Sequence, residues 1–380
     1  MIKILIAGSY PVDSNKLFGG PSYTAYLHSQ TLAERSDVSV EAITRSQDTQ
    51  RNESVEIEGI RVHLVAEPAT RLIPRQYTMV SKVAEVMSTL TPDIVVAQNR
   101  IEALAAVSAG LPLVYIRHGI TKHETRIAHG FSKLVGFLGD RVERKALAQV
   151  RDLICISDYG ISASRGETKA RIHKINYPVL ADSCYEYEPY EAQKGVLFAG
   201  AVTPLKNLLT ILDGWPTVLS ASPEARLRVC GRTSDSVYLA ETKARIASLG
   251  IGESVELRGL VGQQELMELM RDSSCLVLPS FQENMPNVVA QAMAAGRPVI
   301  AAPVGGVPEM VDDGTTGFLV GPDDAAGFSN RINQLLSNPA LTRQMGEAGR
   351  QAALTRFERH AHIDQLLEIC KKAIAHQSKG

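Results

Sequence analysis

Short apolar runs, at 2–7, 94–97, 113–116 and 153–156, and again at 196–199, 227–230, 255–257, 275–278 and 299–302, are separated by segments with helical spacing. Runs of this length, apolar at successive positions, are expected of strands buried on both faces. The segment 23–34 sets Tyr23, Tyr26, Leu27 and Thr31 on one side of a helix; 77–90, 101–109 and 288–295 read likewise. Residues 38–44 read as a further strand, and 55–65 alternates around Glu58-Gly59, which predicts a hairpin. Strands alternating with helices mean doubly wound, largely parallel sheets. The run 153–156 reads as the last strand of the first half. The polar, acidic, proline-flanked stretch 178–189 reads as a linker. The fold class is therefore α/β, with Rossmann-like domains at 1–183 and 184–356, followed by a helix in 357–380 whose Ile363, Leu366, Leu367 and Ile374 share a face.

The densest chemistry lies in 275–324. Strand 275–278 is followed by Pro279-Ser280 and a polar loop to Asn287. A helix over 288–295 comes next, with Asn287 as its N-cap and Gly296 after its end. The loop thus sits at a carboxyl edge of the sheet, where open α/β sheets bind ligands. Glu283 stands just before the helix, and Gln291, one turn inside it, can lean back toward the same space. The N–H groups of Asn287, Val288 and Val289 would face an anion there, aided by the helix dipole. An ordinary solvated acidic loop on a crossover would show the same residues.

Three other places invite similar readings. Gly19-Gly20 precede a helix, where a backbone without Cβ atoms can approach a phosphate; a plain βα loop reads the same, and the spacing is not G-x-G-x-x-G. His118 follows strand 113–116 at another carboxyl edge, a place that a satisfied structural histidine also occupies. Gln98-Asn99, after strand 94–97, could face a substrate or be plain loop residues. Lys206, at a helix start, opposes the dipole unless an anion binds there; otherwise it is an exposed lysine in a turn.

Pro279-Ser280, Glu283, Gln291, the run Ala292-Met293-Ala294-Ala295-Gly296-Arg297-Pro298-Val299, Gly305-Gly306-Val307-Pro308-Glu309 and Asp313-Gly314 with Gly317 together resemble the sugar-nucleotide signature of the retaining family-4 glycosyltransferases. The resemblance implies the GT-B fold, two Rossmann-like domains facing a cleft, with the terminal helix crossing back to the first. It further implies a nucleoside diphosphate sugar (UDP- or GDP-linked) as co-substrate, a saccharide or lipid-linked acceptor, and no required cofactor or metal. By it, Glu283 and the backbone of Met285, Pro286, Asn287 and Val288 hold the sugar and phosphate, while Gly19 and Gly20 face the diphosphate or acceptor. His118 lies near the transferring groups, positioning the sugar or moving a proton, and the segment at Arg258 holds the base. The family pattern has an acid where Gln291 stands, on the ribose. It also has G-R-x-x-x-x-K at 200–206, where Lys206 matches the diphosphate lysine and Ala201 replaces the arginine. Arg232, after strand 227–230, lies at the same sheet edge and is a candidate for the missing charge.

At 380 residues the chain is long enough for two cores. A net charge of −1 gives no bias toward nucleic acid, and no nucleic-acid motif is present. Five cysteines without ligand spacing, three of them in or beside apolar runs, read as buried thiols of a reducing compartment. No apolar run nears the ~20 residues of a membrane span, and the N-terminus reads as a strand, so the expected location is cytoplasmic. The segment 121–151 mixes basic and apolar residues and would suit a peripheral contact at the inner membrane face, but Glu124, Asp140 and Glu143 interrupt it as in an ordinary amphipathic helix. A nucleotide-sugar-binding protein without catalysis, or an epimerase or phosphorylase of the same fold, would share most of these features.

Overall fold

The computed structural model describes residues 1–12, 20–67, 75–127, 130–178, 195–233 and 235–377. The chain divides into two compact units, Met1–Pro178 with Arg359–Gly380, and Val179–Glu358. The expected linker, apart from Pro178, lies outside the described residues, as do Gly19 and Cys184.

The first unit runs β1 (Ile2–Ala7), α1 (Gly20–Ala33), β2 (Val38–Ser46), β3 (Glu53–Ile57), β4 (Ile60–Ala66), α2 (Arg75–Leu90), β5 (Ile94–Ala97), α3 (Arg100–Ser108) and β6 (Leu113–Arg117). It continues with α4 (Thr121–Ile127), α5 (Gly130–Leu147), β7 (Asp152–Cys155), α6 (Asp158–Ser164) and β8 (Arg171–Lys174). Among the described residues these strands form one sheet in the order β3-β4-β2-β1-β5-β6-β7-β8. β3 alone pairs antiparallel there, through a turn at Glu58 (φ 45°) and Gly59 (φ 79°), two left-handed residues in sequence as a tight hairpin needs. Ile4, Leu5, Ile6, Val95 and Val96 are fully buried, as strands covered on both faces require.

Three expectations change here. β7 is not the last strand, because β8 pairs parallel beyond it. Its sequence, Arg-Ile-His-Lys, has no apolar run because an edge strand is covered on one side. Arg171 and His173 both bond the Asp152 carboxylate of β7, at 2.6 and 2.9 Å. Residues 121–151 form two helices rather than one. Glu143, read as an interruption of a basic face, points instead into the core, where it takes hydrogen bonds from buried Arg117 at 3.2 Å. Asn99 is not a plain loop residue but caps α3, its side chain accepting from Ile101 N–H, and Gln98 is fully buried.

The second unit runs β9 (Gly195–Ala199), α7 (Leu208–Ala221), β10 (Arg226–Cys230), α8 (Ser236–Ser248), β11 (Val255–Gly259), α9 (Gln263–Arg271) and β12 (Cys275–Leu278). It closes with α10 (Asn287–Ala294), β13 (Val299–Ala301), α11 (Val307–Met310), β14 (Gly317–Leu319), α12 (Ala325–Ser337) and α13 (Pro339–Arg356). Among the described residues its sheet is parallel throughout, ordered β11-β10-β9-β12-β13-β14. The winding reverses between β9 and β12. At such a switch point the loops beyond the carboxyl ends diverge and leave a crevice for ligand. A last helix, α14 (Arg359–Gln377), belongs to the first unit; it begins two residues later than the spacing predicts because buried Phe357 ends α13. Arg359 bonds Glu34, and Arg35 bonds Asp364, at 3.0 and 2.5 Å. Among the described residues no helix is long and apolar enough to cross a membrane.

Candidate functional site

The two loops that flank the switch point of the second sheet are stitched together by backbone and side chain. Phe281 N–H donates to Leu205 O at 2.9 Å, joining the loop after β12 to the loop after β9. Asn207, left-handed at φ 54°, donates through its side chain to Pro279 O and Pro322 O at 3.2 and 2.8 Å. In that frame Lys206 Nζ meets Glu283 Oε1 at 2.5 Å, and Ser280 Oγ donates to the same oxygen at 2.7 Å. Glu283 is buried and Lys206 is partly exposed, so this ammonium is the open side of the pair.

Glycines bring the loops this close. A Cβ on Gly305 (φ 58°) would stand 1.7 Å from Glu283 O, and Gly306 N–H donates to Asn284 O at 2.6 Å. Thus the Gly305-Gly306 pair is the floor on which the Glu283 loop rests. Gly231 plays the same part on the other side, where a Cβ would stand 1.9 Å from Gly200 O. Val202 N–H donates to Arg232 O at 2.9 Å, which places Arg232 beside the loop of Ala201. The Arg232 side chain is exposed and, among the described residues, carries no ion pair.

The start of α10 differs from expectation. Asn287 is its first helical residue, and Pro286 occupies the cap without a side-chain bond, since proline brings no capping oxygen. Val289 N–H is turned to Pro286 O at 3.0 Å, so it does not face an anion with its neighbours. Met285, Pro286 and Asn287 are buried, and Val288 is partly exposed. Gln291 is buried and reaches toward Gln263 Oε1, 3.5 Å away at the start of α9, rather than toward Glu283. Arg258 is held between Glu256 and Glu265 at 3.3 and 2.9 Å, while its neighbour Gly259 accepts from Gly231 N–H at 2.7 Å. Arg297, inside the motif, is structural: its buried guanidinium donates to Met270 O and Arg271 O, completing the end of α9.

Gly20 and His118 lie in the first unit. Gly20 opens α1, three residues earlier than the spacing predicts, and its carbonyl accepts from Thr24 Oγ1 at 2.9 Å. His118 follows β6 with both ring nitrogens engaged: Nδ1 by the Tyr177 hydroxyl, Nε2 by Gln98 Oε1 at 2.5 Å. Burial, with some repulsion from His362, lowers its pKa to about 3, so it is neutral at pH 7. Behind it, Gln98 Nε2 meets His28 Nδ1 at 3.0 Å, His28 Nε2 meets His362 Nε2 at 2.7 Å, and His362 Nδ1 meets Asn176 O at 2.7 Å. His28, His362 and Tyr177 escape a reading of the sequence because their partners stand tens to hundreds of positions away.

Two family descriptions fit the chain half by half: "Glycosyltransferase Family 4" matches residues 18–175, and "Glycosyl transferases group 1" matches residues 186–352. The chain belongs to the group 1 glycosyltransferase family. Within this family, D-inositol 3-phosphate glycosyltransferase of Streptomyces avermitilis is 38% identical over 163 residues, 41% of the chain and 35% of that protein. The chain thus spans about a third of the length of the curated relatives of this kind that it matches. Among solved structures, sucrose-phosphate synthase of Thermosynechococcus elongatus superposes with TM-score 0.86 at 19% identity, over 99% of this chain and 100% of that one. HepE of Anabaena, in complex with UDP-glucose, gives 0.74 at 20% identity, over 98% and 100%. These likenesses show the fold, which is GT-B. For a group 1 glycosyltransferase-family chain, the Lys206–Glu283 pair falls at the switch point where a ligand crevice is expected.

Proposed function

We propose that the chain transfers a glycosyl group from a nucleoside diphosphate sugar to a saccharide or lipid-linked acceptor, with retention of configuration. The observation that supports this most is the Lys206–Glu283 pair at the switch point of the second sheet, held by Ser280 and floored by Gly305-Gly306. A lysine ammonium has three donors; with one on Glu283 Oε1, the others suit diphosphate oxygens. Glu283 fixes that ammonium in place, and its second oxygen can accept from a sugar hydroxyl. Because it is committed to Lys206 and Ser280, Glu283 is a poor nucleophile, which favours attack on the same face as departure. In that step the bond from the anomeric carbon to phosphate oxygen breaks, the bond to acceptor oxygen forms, and the acceptor proton passes to the departing oxygen. Charge building on the leaving diphosphate would be met by Lys206, Arg232 and the start of α10 at Val288. The base would lie against the Arg258-Gly259 backbone and the ribose near Gln291, whose amide both donates and accepts. His118, neutral and bonded at both nitrogens, suits positioning of a sugar better than proton transfer. The reading requires no metal.

Thermal stability against UDP, GDP, ADP and NAD tests the donor class. A ligand at 100 times its dissociation constant adds about 2.7 kcal/mol, which should raise Tm by roughly 2–4 °C. UDP is the first to try, since HepE was captured with UDP-glucose. Failure of every nucleoside diphosphate to raise Tm would sink the reading.

A further inference from the structure

The row of side chains behind His118 has a direction. The Asn176 carbonyl can only accept, so His362 Nδ1 carries a proton. Taken as neutral, His362 then accepts at Nε2 from His28 Nε2–H. His28 Nδ1 is left as an acceptor, which orients the Gln98 amide with its NH2 toward His28 and its oxygen toward His118. That oxygen requires a proton on His118 Nε2, so His118 Nδ1 accepts from the Tyr177 hydroxyl. One carbonyl and a neutral His362 thus fix five donor–acceptor assignments in succession. Burial lowers the pKa of both His28 and His118, and the neutral state of His362 is part of the proposal. His28 and Gln98 are fully buried, which is costly for polar groups unless each is satisfied, and in a satisfied row one changed member reorients the rest.

We propose that His28 and His362 are positioning residues for His118: through the Gln98 amide they fix which of its ring nitrogens carries the proton, and so the state in which it meets substrate. His362 sits on α14 and His28 on α1, so the two helices set the tautomer of a residue after β6. The proposal rests on the reading of His118 as a sugar-positioning side chain.

The test is the nitrogen NMR spectrum of histidine-labelled protein at pH 7.5, with His118 assigned from the His118→Gln variant. In the wild type, His118 should carry its proton at Nε2 and His362 at Nδ1. In His362→Phe, and in the nearly isosteric Gln98→Met, His118 should show both tautomers. Sugar turnover should fall roughly tenfold or more, the scale of loss when partners that orient a functional histidine are removed. A wild-type His118 protonated at Nδ1, or a single unchanged tautomer in both folded variants, overturns the proposal. Should both variants fail to fold, the wild-type assignments still decide the direction of the row. A wild type with this tautomer pattern but no transfer from any donor would instead count against the functional reading and leave the row intact.

Discussion

Lys206 and Glu283 illustrate how a residue's neighbours set its chemistry. Lys206→Ala should weaken nucleoside diphosphate binding by about 1.5–3 kcal/mol, the worth of a charge-assisted hydrogen bond, read by titration calorimetry; unchanged affinity would place the diphosphate elsewhere. Gly305→Ala tests the floor. Its φ of 58° and the 1.7 Å approach to Glu283 O leave no room for a methyl group, so the Glu283 loop must move. Turnover should fall together with stability, the latter by about 1–3 kcal/mol, and a variant with normal Tm and turnover would refute that role. Both residues were legible in the sequence because a ligand loop after a strand keeps its partners in short local patterns. The His28–His362 contact was not, since the two stand 334 positions apart and only folding brings them within 2.7 Å.

At the scale of the element, apolar runs revealed the central strands and missed the edge. Val95 and Val96 are covered on both faces and announce themselves; β8 holds its place by charge, with Arg171 and His173 on Asp152. Burial would raise the Asp152 pKa, but hydrogen bonds from His173 and Arg171 outweigh it and hold the carboxyl down to about 2. A depressed acid stabilises the fold above its unfolded pKa of about 4, and that contribution disappears as pH falls from about 4 to about 2. Asp152→Asn should cost about 2–3 kcal/mol at pH 7 and flatten the acid limb of a denaturation curve in that window. The start of α10 was misread for a related reason: Asn287 has the composition of a cap, yet Pro286 before it already fixes the turn.

Across the whole molecule, buried neutral histidines make the first unit sensitive to acid. His118 titrates near 3 when folded and near 6.5 when unfolded, so between those values the unfolded chain binds more protons. Stability therefore drops as pH falls below about 6.5, by up to about 1.4 kcal/mol per pH unit for each such histidine. Denaturant midpoints at pH 7 and pH 5 should differ clearly in the wild type and less in His118→Gln; equal differences would mean that His118 titrates alike in the folded and unfolded chain. The architecture itself was readable, since strands alternating with helices leave few topologies. The assignment of α14 to the first unit was not readable from spacing, because an amphipathic face does not say which surface it covers.

That assignment has a consequence for biosynthesis. The ribosome delivers β1 to β8 first, then all of the second unit, and only afterwards the helix that carries His362. Until that helix emerges, His28 lacks the imidazole it bonds in the finished protein, and the ion pairs of Glu34 and Arg35 with α14 are unmade. The second unit is contiguous in sequence, whereas the first is complete only once α14 has emerged. Maturation of the His118 environment is thus a late event in translation.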